Sequence, residues 1–124
     1  MRRTLFPLIV TSILLAMTLV LMGCGGESGV TVTMNEYSFE PERITVRRES
    51  MVTLILVNDG SLQHSFDVPQ LDISSGVVEP GETKTIEFQV GHRGRYKMIS
   101  SVPGDEEAGM VGQFIVSLGA PTLR

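Results

Sequence analysis

The residue types that could do chemistry are concentrated in one short stretch of the sequence, from Tyr96 to Gly112. Within it, Ser100, Asp105 and Met110 supply a hydroxyl, a carboxylate and a thioether. Carboxylates and thioethers bind metal ions in proteins, whereas a serine hydroxyl is a poor ligand at neutral pH because it must first lose its proton. On its own, the stretch therefore offers a partial set of metal ligands.

The elements that must position these residues are strands and turns, with no helical periodicity. Val52, Leu54 and Leu56 alternate with residues of the opposite face, as a strand requires. Tyr96, Met98 and Ser100 alternate in the same way before a Pro103-Gly104 turn. Similar segments recur along the chain. We therefore predict an all-β domain, an antiparallel sandwich of about seven or eight short strands with Greek-key connections.

The loop and its flanks resemble those of the cupredoxins, the small blue-copper sandwich proteins. That family carries Tyr-x-aromatic-x-Cys, then Ser-x-Pro-Gly-His, then Gly-Met. Here the matching segments are Tyr96-Lys97-Met98-Ile99-Ser100, Ser101-Val102-Pro103-Gly104-Asp105 and Gly109-Met110. The family's first histidine follows an Asn-Asp turn, as His64 does in this chain. The resemblance covers most of Val32 to Val116, and it implies a cupredoxin-like Greek-key β-sandwich.

The resemblance also implies that four residues converge at one end of the sandwich: His64, Ser100, Asp105 and Met110. Ser100 stands where the family has its cysteine, and Asp105 stands where it has its second histidine. A blue-copper site needs two imidazoles, a thiolate and a weak axial sulfur. The implied site is therefore an incomplete copper site, and blue-copper electron transfer is not expected. The same alignment places His92 in a surface turn away from the loop.

Three interpretations of this cluster follow. In the first, Ser100, His64 and Asp105 form a hydrogen-bonded cluster in a metal-free binding or scaffold module, since buried polar groups need partners. In the second, His64, Asp105 and Met110 bind copper or another metal, though not as a type-1 blue site. In the third, Ser100, His64 and Asp105 act as a hydrolase triad. No nucleophile elbow or anion-binding loop accompanies these residues, so we expect no enzyme.

The acidic residues indicate which kinds of partner the domain could bind. Five of them fall in the segments expected near the loop end and could form a patch that docks a protein partner or supplies further ligands: Glu79, Glu82, Asp105, Glu106 and Glu107. Removing Arg2 and Arg3 with the first segment leaves 14 acidic and 8 basic side chains, a net charge of −6. An acidic domain without a basic run argues against binding nucleic acid and against electrostatic docking on anionic lipid.

The N-terminal segment has the layout of a secretory signal peptide. Arg2 and Arg3 precede an apolar run, and Leu21-Met22-Gly23-Cys24 ends it. This ending resembles a bacterial lipobox, which implies cleavage before Cys24 and acylation of its thiol. The expected organisation is a lipoprotein signal peptide at 1–23, lipidated Cys24 with a flexible tether at 24–29, the domain at 30–118 and a tail at 119–124.

Cys24 is the only cysteine of the chain. With its thiol acylated, the mature domain has no disulfide, no thiolate nucleophile and no thiolate metal ligand. We accordingly expect a lipid-anchored protein on the outer side of the cytoplasmic membrane, periplasmic or at the cell surface.

Overall fold

The computed structural model describes residues 28–119, which form a two-sheet structure with one short 3-10 helix, Pro69–Leu71. No helix in this part of the chain is long and apolar enough to cross a membrane. Nine strands follow in order: β1 (Ser28–Asn35), β2 (Ser38–Glu40), β3 (Arg43–Arg47), β4 (Met51–Asn58), β5 (His64–Val68), β6 (Ile73–Val78), β7 (Thr83–Gln89), β8 (Gly94–Ile99) and β9 (Val111–Ser117).

The strands divide into a four-stranded sheet, in the order β2-β1-β4-β7, and a five-stranded sheet, in the order β3-β9-β8-β5-β6. The chain changes sheet at Pro41, which lies between β2 and β3. The predicted all-β sandwich is confirmed. It has nine strands rather than seven or eight, and it is not wholly antiparallel, because β1 pairs with β4 and β3 with β9 in parallel. Alternation indicates which residues face the core but not which strand lies alongside.

The core lies between the sheets and is built by the alternating residues. Val52, Leu54 and Leu56 of β4 are wholly buried, as predicted from their spacing. Edge-to-face aromatic contacts cross the core. The centre of the Phe66 ring lies 5.8 Å from that of Phe39 and 6.4 Å from that of Phe114. Such contacts add to the hydrophobic stabilisation of the buried rings. All nine strands of the two sheets and the core residues between them lie within residues 28–119, so this segment contains the whole sandwich.

Two ends of the sandwich can be distinguished by strand register and by backbone hydrogen bonds. The upper end consists of the loops 35–37, 59–63, 79–82 and 100–110. The N–H of Asp59 bonds the carbonyl of Met34 there at 2.9 Å. The lower end consists of 28–29, 47–50, 90–95 and 116–119. There the N–H of Arg48 bonds the carbonyl of Ser117 at 2.8 Å, and the N–H of Glu49 bonds that of Val90 at 2.8 Å.

β1 begins at Ser28, two residues before Val30, where the sequence analysis placed the start of the domain. The predicted signal peptide at 1–23, Cys24 and most of the tether at 24–29 lie outside the described residues. The tail beyond Gly119 lies outside them too. Those parts of the organisation remain predictions.

Gly112, two residues after the end of the loop, is held close to another segment. A Cβ built at this position would lie 2.5 Å from the carbonyl oxygen of Glu42 and would overlap the Met98 methyl group. We expect Gly112→Ala to lower the free energy of unfolding by about 1–3 kcal/mol, because extra atoms in a close-packed region force the backbone to move. Gly91→Ala is the control, since a Cβ there meets nothing within 4 Å.

Urea denaturation followed by circular dichroism measures both changes. Equal stability of Gly112→Ala and Gly91→Ala would contradict the close approach of β9 to the segment that carries Glu42.

Candidate functional site

His64 is positioned by a buried asparagine in the loop before it. Asn58, the last residue of β4, donates its Nδ2 hydrogens to the carbonyl oxygens of Leu62 at 2.8 Å and Val78 at 2.9 Å. Its Oδ1 accepts the N–H of Gly60 at 3.0 Å, a common turn-forming contact of asparagine. The loop therefore follows one path, and β5 begins at His64 with the ring wholly buried.

One carboxylate oxygen joins three of the predicted site residues. Asp105 Oδ2 lies 2.7 Å from His64 Nδ1, and it accepts the hydroxyl proton of Ser100 at 2.6 Å. With Asp105 ionised, its carboxylate can only accept, so this contact requires the imidazole proton to be on Nδ1. His64 and Ser100 are at most 1% exposed, and Asp105 is 4% exposed. The structure thus brings together the imidazole, hydroxyl and carboxylate in the hydrogen-bonded arrangement of the first interpretation.

The loop between Ser100 and Met110 folds so that Asp105 is directed inward. The N–H of Asp105 bonds the carbonyl of Val102 at 3.0 Å, and the N–H of Met110 bonds the carbonyl of Asp105 at 3.0 Å. Gly104 has a φ of 94°, a conformation that residues with side chains rarely adopt. The Pro-Gly turn predicted from the sequence therefore reverses the chain just before the buried carboxylate.

Met110, the remaining predicted ligand, is a member of the apolar core and is wholly buried. Met98, which alternates with Ser100 on β8, is also wholly buried. His92 is exposed in the turn before β8, at the lower end, and lies away from the cluster as expected. The loop thus contributes both Asp105, in the polar cluster, and Met110, in the core.

A second buried carboxylate, which sequence reasoning missed, adjoins the cluster. Asp67 is 6% exposed and accepts hydrogen bonds from the hydroxyls of Ser65 at 2.5 Å and Ser74 at 2.6 Å. The N–H of Ser65 also donates to Ser100 Oγ at 3.0 Å, which links the two carboxylates. In the sequence, Asp67 follows buried Phe66 and has the spacing of an exposed strand position. Its serine partners are only two and seven positions away, but the alternation of the strand gave no sign that this position is buried.

Glu36, in the turn after β1, is the other residue that the sequence did not indicate. Its Oε1 lies 3.9 Å from His64 Nε2 and accepts the backbone N–H groups of Ser61 and Leu62, the latter at 3.0 Å. The Ser61 N–H has the largest effect and lowers the pKa of Glu36; partial burial raises it, and the Leu62 N–H lowers it. Among the described residues, His64 Nε2 has no hydrogen-bond partner. The imidazole thus lies between two carboxylates.

The surface of the upper end is acidic and partly apolar. Of the predicted acidic patch, Glu79, Glu82, Glu106 and Glu107 are exposed, whereas Asp105 is buried and belongs to the cluster instead. An open cleft of about 490 Å³ lies beside Asp105. Its lining includes the following residues: Tyr37, Leu62, Glu79, Pro80 and Pro103.

The residues present do not fit a type-1 copper centre. That centre requires a thiolate and a second imidazole, and the matching side chains are those of Ser100 and Asp105. Two ligands bound to one metal at tetrahedral angles lie about 3.4 Å apart, so the 2.7 Å from His64 Nδ1 to Asp105 Oδ2 leaves no space for an ion. Within residues 28–119, no three side chains of the His, Cys, Asp and Glu types are grouped to hold a metal.

The order of the three polar groups also differs from that of a hydrolase. A triad needs the imidazole between the nucleophile and the carboxylate, so that it can take the proton of the hydroxyl. Here Asp105 is in the middle and receives hydrogen bonds from both His64 and Ser100. The triad hypothesis is therefore wrong for this geometry.

Comparisons with known proteins agree with the fold and with the resemblance. The sequence is 29% identical over 107 residues to the copper-resistant cuproprotein CopI of Rubrivivax gelatinosus, which covers 70% of this chain. The match spans 65% of that relative's length, less than two thirds. Auracyanin B matches with a TM-score of 0.65 and 19% identity, covering 73% of this chain and 88% of the other.

Auracyanin A, a blue copper protein from Chloroflexus aurantiacus, also matches with a TM-score of 0.65, at 18% identity, over 74% of this chain and all of its own. At these identities, the structural likeness shows the fold alone. The family model of the cupredoxin-like domain matches residues 8–116, which is most of the sequence. The chain therefore belongs to the cupredoxin-like domain family.

Proposed function

We propose that the protein is an extracytoplasmic, membrane-anchored cupredoxin-like module that acts without a metal ion, as a binding or scaffold domain. The single observation that carries this proposal is the double hydrogen bond to Asp105 Oδ2, from His64 Nδ1 and Ser100 Oγ. Three residues at the family's ligand positions are bonded to one another. A metal ion would have to displace both hydrogen bonds and the proton on Nδ1.

These hydrogen bonds hold the loop in place, as a bound metal ion would. They connect β5, the end of β8 and the loop before β9, and they satisfy polar groups that are closed to solvent. A buried network fixes one arrangement of its segments in so far as its polar groups are paired. Within the part of the chain that the structure describes, Nδ1 of His64, the Ser100 hydroxyl and Asp105 Oδ2 are paired, whereas Nε2 of His64 is not. The upper end can therefore stay ordered as a binding surface with no ion in place.

The anchor and the partner belong to the same proposal. The pattern that ends at Cys24 supports a lipid anchor on the outer side of the membrane, and β1 begins only four residues later. At the far end, Tyr37 and Leu62 are 42% and 46% exposed beside acidic side chains. We assign this surface to an extracytoplasmic protein partner. The central position of Asp105, where a hydrolase triad has its imidazole, supports a role without catalysis.

Copper binding through His64, Asp105 and Met110 is the second candidate function. Two observations favour it: a relative is named as a copper-resistant cuproprotein, and an imidazole, a carboxylate and a thioether are all buried in this chain at the positions that the family resemblance indicates. Loss of the Nδ1 proton and a small opening of the loop would offer Cu(II) one nitrogen and one oxygen ligand. Such a site would be weak and would not be blue.

Copper titration separates the two functions. The fragment 25–124 is titrated with Cu(II) and Cu(I) by calorimetry and visible absorption, with His64→Ala as the control. The metal-free proposal predicts no saturable binding in either oxidation state, because both candidate donor atoms are held in hydrogen bonds. One-to-one binding that disappears in His64→Ala would establish the second candidate. An intense blue band would contradict our expectation that a site without a thiolate ligand is not blue.

Removing the central carboxylate should destabilise the metal-free protein. We expect Asp105→Ala to lower the free energy of unfolding by about 2–4 kcal/mol, because it leaves the buried donors of His64 and Ser100 unpaired. The matched control in the same loop is Glu107→Ala, whose side chain is exposed and should change stability by less than about 0.5 kcal/mol. Chemical denaturation measures both. Similar stability of the two variants would show that the cluster does not hold the loop.

Restoring the family's ligand types should restore its metal chemistry. Ser100→Cys combined with Asp105→His would supply a thiolate and a second imidazole beside His64 and Met110. We expect this double variant to bind Cu(II) with an intense blue absorption, whereas Ser100→Cys alone should bind more weakly. A folded but colourless double variant would mean that the loop no longer places these positions around one point.

A further inference from the structure

The loops at the two ends of the domain differ in charge, although Lys84 and Lys97 lie on strands near the upper end. Every charged side chain in the four upper loops is acidic: Glu36, Asp59, Glu79, Glu82, Asp105, Glu106 and Glu107. The lower end has the opposite character, although the sequence contains no basic run. Its charged residues are four arginines and one glutamate, together with one histidine: Arg47, Arg48, Arg93, Arg95, Glu49 and His92.

Strand pairing gathers these arginines from two distant parts of the chain. Arg47 of β3 is paired with Ser117 of β9, and Arg95 of β8 is paired with Ile115 of the same strand. β9 therefore lies between the two arginines and carries no charge of its own. Arg48 contacts Glu49 at 3.1 Å, so one arginine is partly neutralised within the cluster.

The lower end also presents apolar side chains and the start of the domain. Met51 and Leu118 are 47% and 57% exposed there, among the most exposed large hydrophobic residues of the described chain. β1 enters at Ser28, which pairs with Val52 at the lower end of β4. Cys24, the predicted acylation site, is four residues earlier. Four residues span at most about 14 Å, so an anchored domain has its lower end near the bilayer.

We propose that this lower end docks on the anionic phospholipid surface of the membrane and orients the domain with its upper end outward. Its orientation on the membrane rests on the predicted anchor at Cys24, but the docking contact itself does not. Arginines attract anionic headgroups, and exposed methionine and leucine side chains can enter the interface. The arginine cluster, the apolar neighbours and the point of chain entry all belong to the same end.

The net acidity of the protein does not prevent this contact. A strand of eight residues such as β4 is about 26 Å long. The acidic upper loops are therefore separated from a surface below by several Debye lengths, each about 8 Å at physiological ionic strength. The surface acts mainly on the lower arginines, while repulsion of the acidic loops favours the same orientation. The sequence argument against anionic lipid relied on total charge and on the lack of a basic run.

Vesicle co-sedimentation of the fragment 25–124 tests the proposal, because this fragment contains the complete fold but not the predicted anchor. Vesicles of phosphatidylcholine alone are compared with vesicles that also contain phosphatidylglycerol, at low and high salt. We expect binding to the anionic vesicles only, and its loss at high salt. Equal binding to both kinds of vesicle would overturn the proposal. Binding to neither kind would overturn it too, and would leave an acidic protein as the candidate partner of this end.

Two double variants with the same change in net charge identify the surface. Arg93→Glu with Arg95→Glu alters the lower end, and we expect it to weaken binding about 30-fold or more. Lys84→Glu with Lys97→Glu makes the same change on strands near the upper end and should leave binding within about threefold, since those charges are screened from the surface. Equal losses in both would overturn the proposal. Circular dichroism confirms folding, and the copper titration has no bearing on this result.

Discussion

The structure of the upper end depends on one carboxylate oxygen. Asp105 Oδ2 accepts hydrogen bonds from His64 at the start of β5 and from Ser100 at the end of β8, while the backbone of Asp105 holds Met110 before β9. Asp105 thus links three strands of the second sheet: β5 and β8 through one carboxylate oxygen, and β9 through its backbone carbonyl. An ionised carboxylate excluded from solvent is costly unless it is well paired, and two short hydrogen bonds meet that requirement.

This interaction explains how a cupredoxin-like domain can keep its loop without a copper centre. In a blue-copper site the thiolate and two imidazoles are held by the ion. Here a hydroxyl, a carboxylate and one imidazole hold one another, and Glu36 faces the other edge of the same ring at 3.9 Å. The change from coordination to hydrogen bonding needs no alteration of the sandwich, whose core is built from separate apolar residues. Family membership is therefore compatible with a set of residues that does not fit a type-1 copper centre.

The fold and the site differ in how far they could be predicted from the sequence. The alternation of Val52, Leu54 and Leu56 indicated strand and core, and the loop resemblance predicted that His64, Ser100 and Asp105 would converge. Strand neighbours could not be predicted, because alternation carries no information about which strands pair.

The two missed carboxylates were missed for different reasons. Asp67 has serine partners only two and seven positions away, but its spacing in the sequence is that of an exposed strand position. Glu36 is bound by N–H groups 25 and 26 positions later. The arginines of the lower end are likewise gathered only by the pairing of β3, β8 and β9. Composition and local motifs report charges and residue types, but they do not report which of them share a surface.

The position of β9 has a consequence for how the chain is assembled after synthesis. β9 is the last strand, yet it lies inside the second sheet between β3 and β8, and it supplies Phe114 to the core. The sheet cannot close until residue 117 has emerged, since Arg47 must wait for Ser117 some 70 positions later. Contacts of such long range form slowly. A nascent chain of this topology therefore has an incomplete second sheet until β9 has left the ribosome.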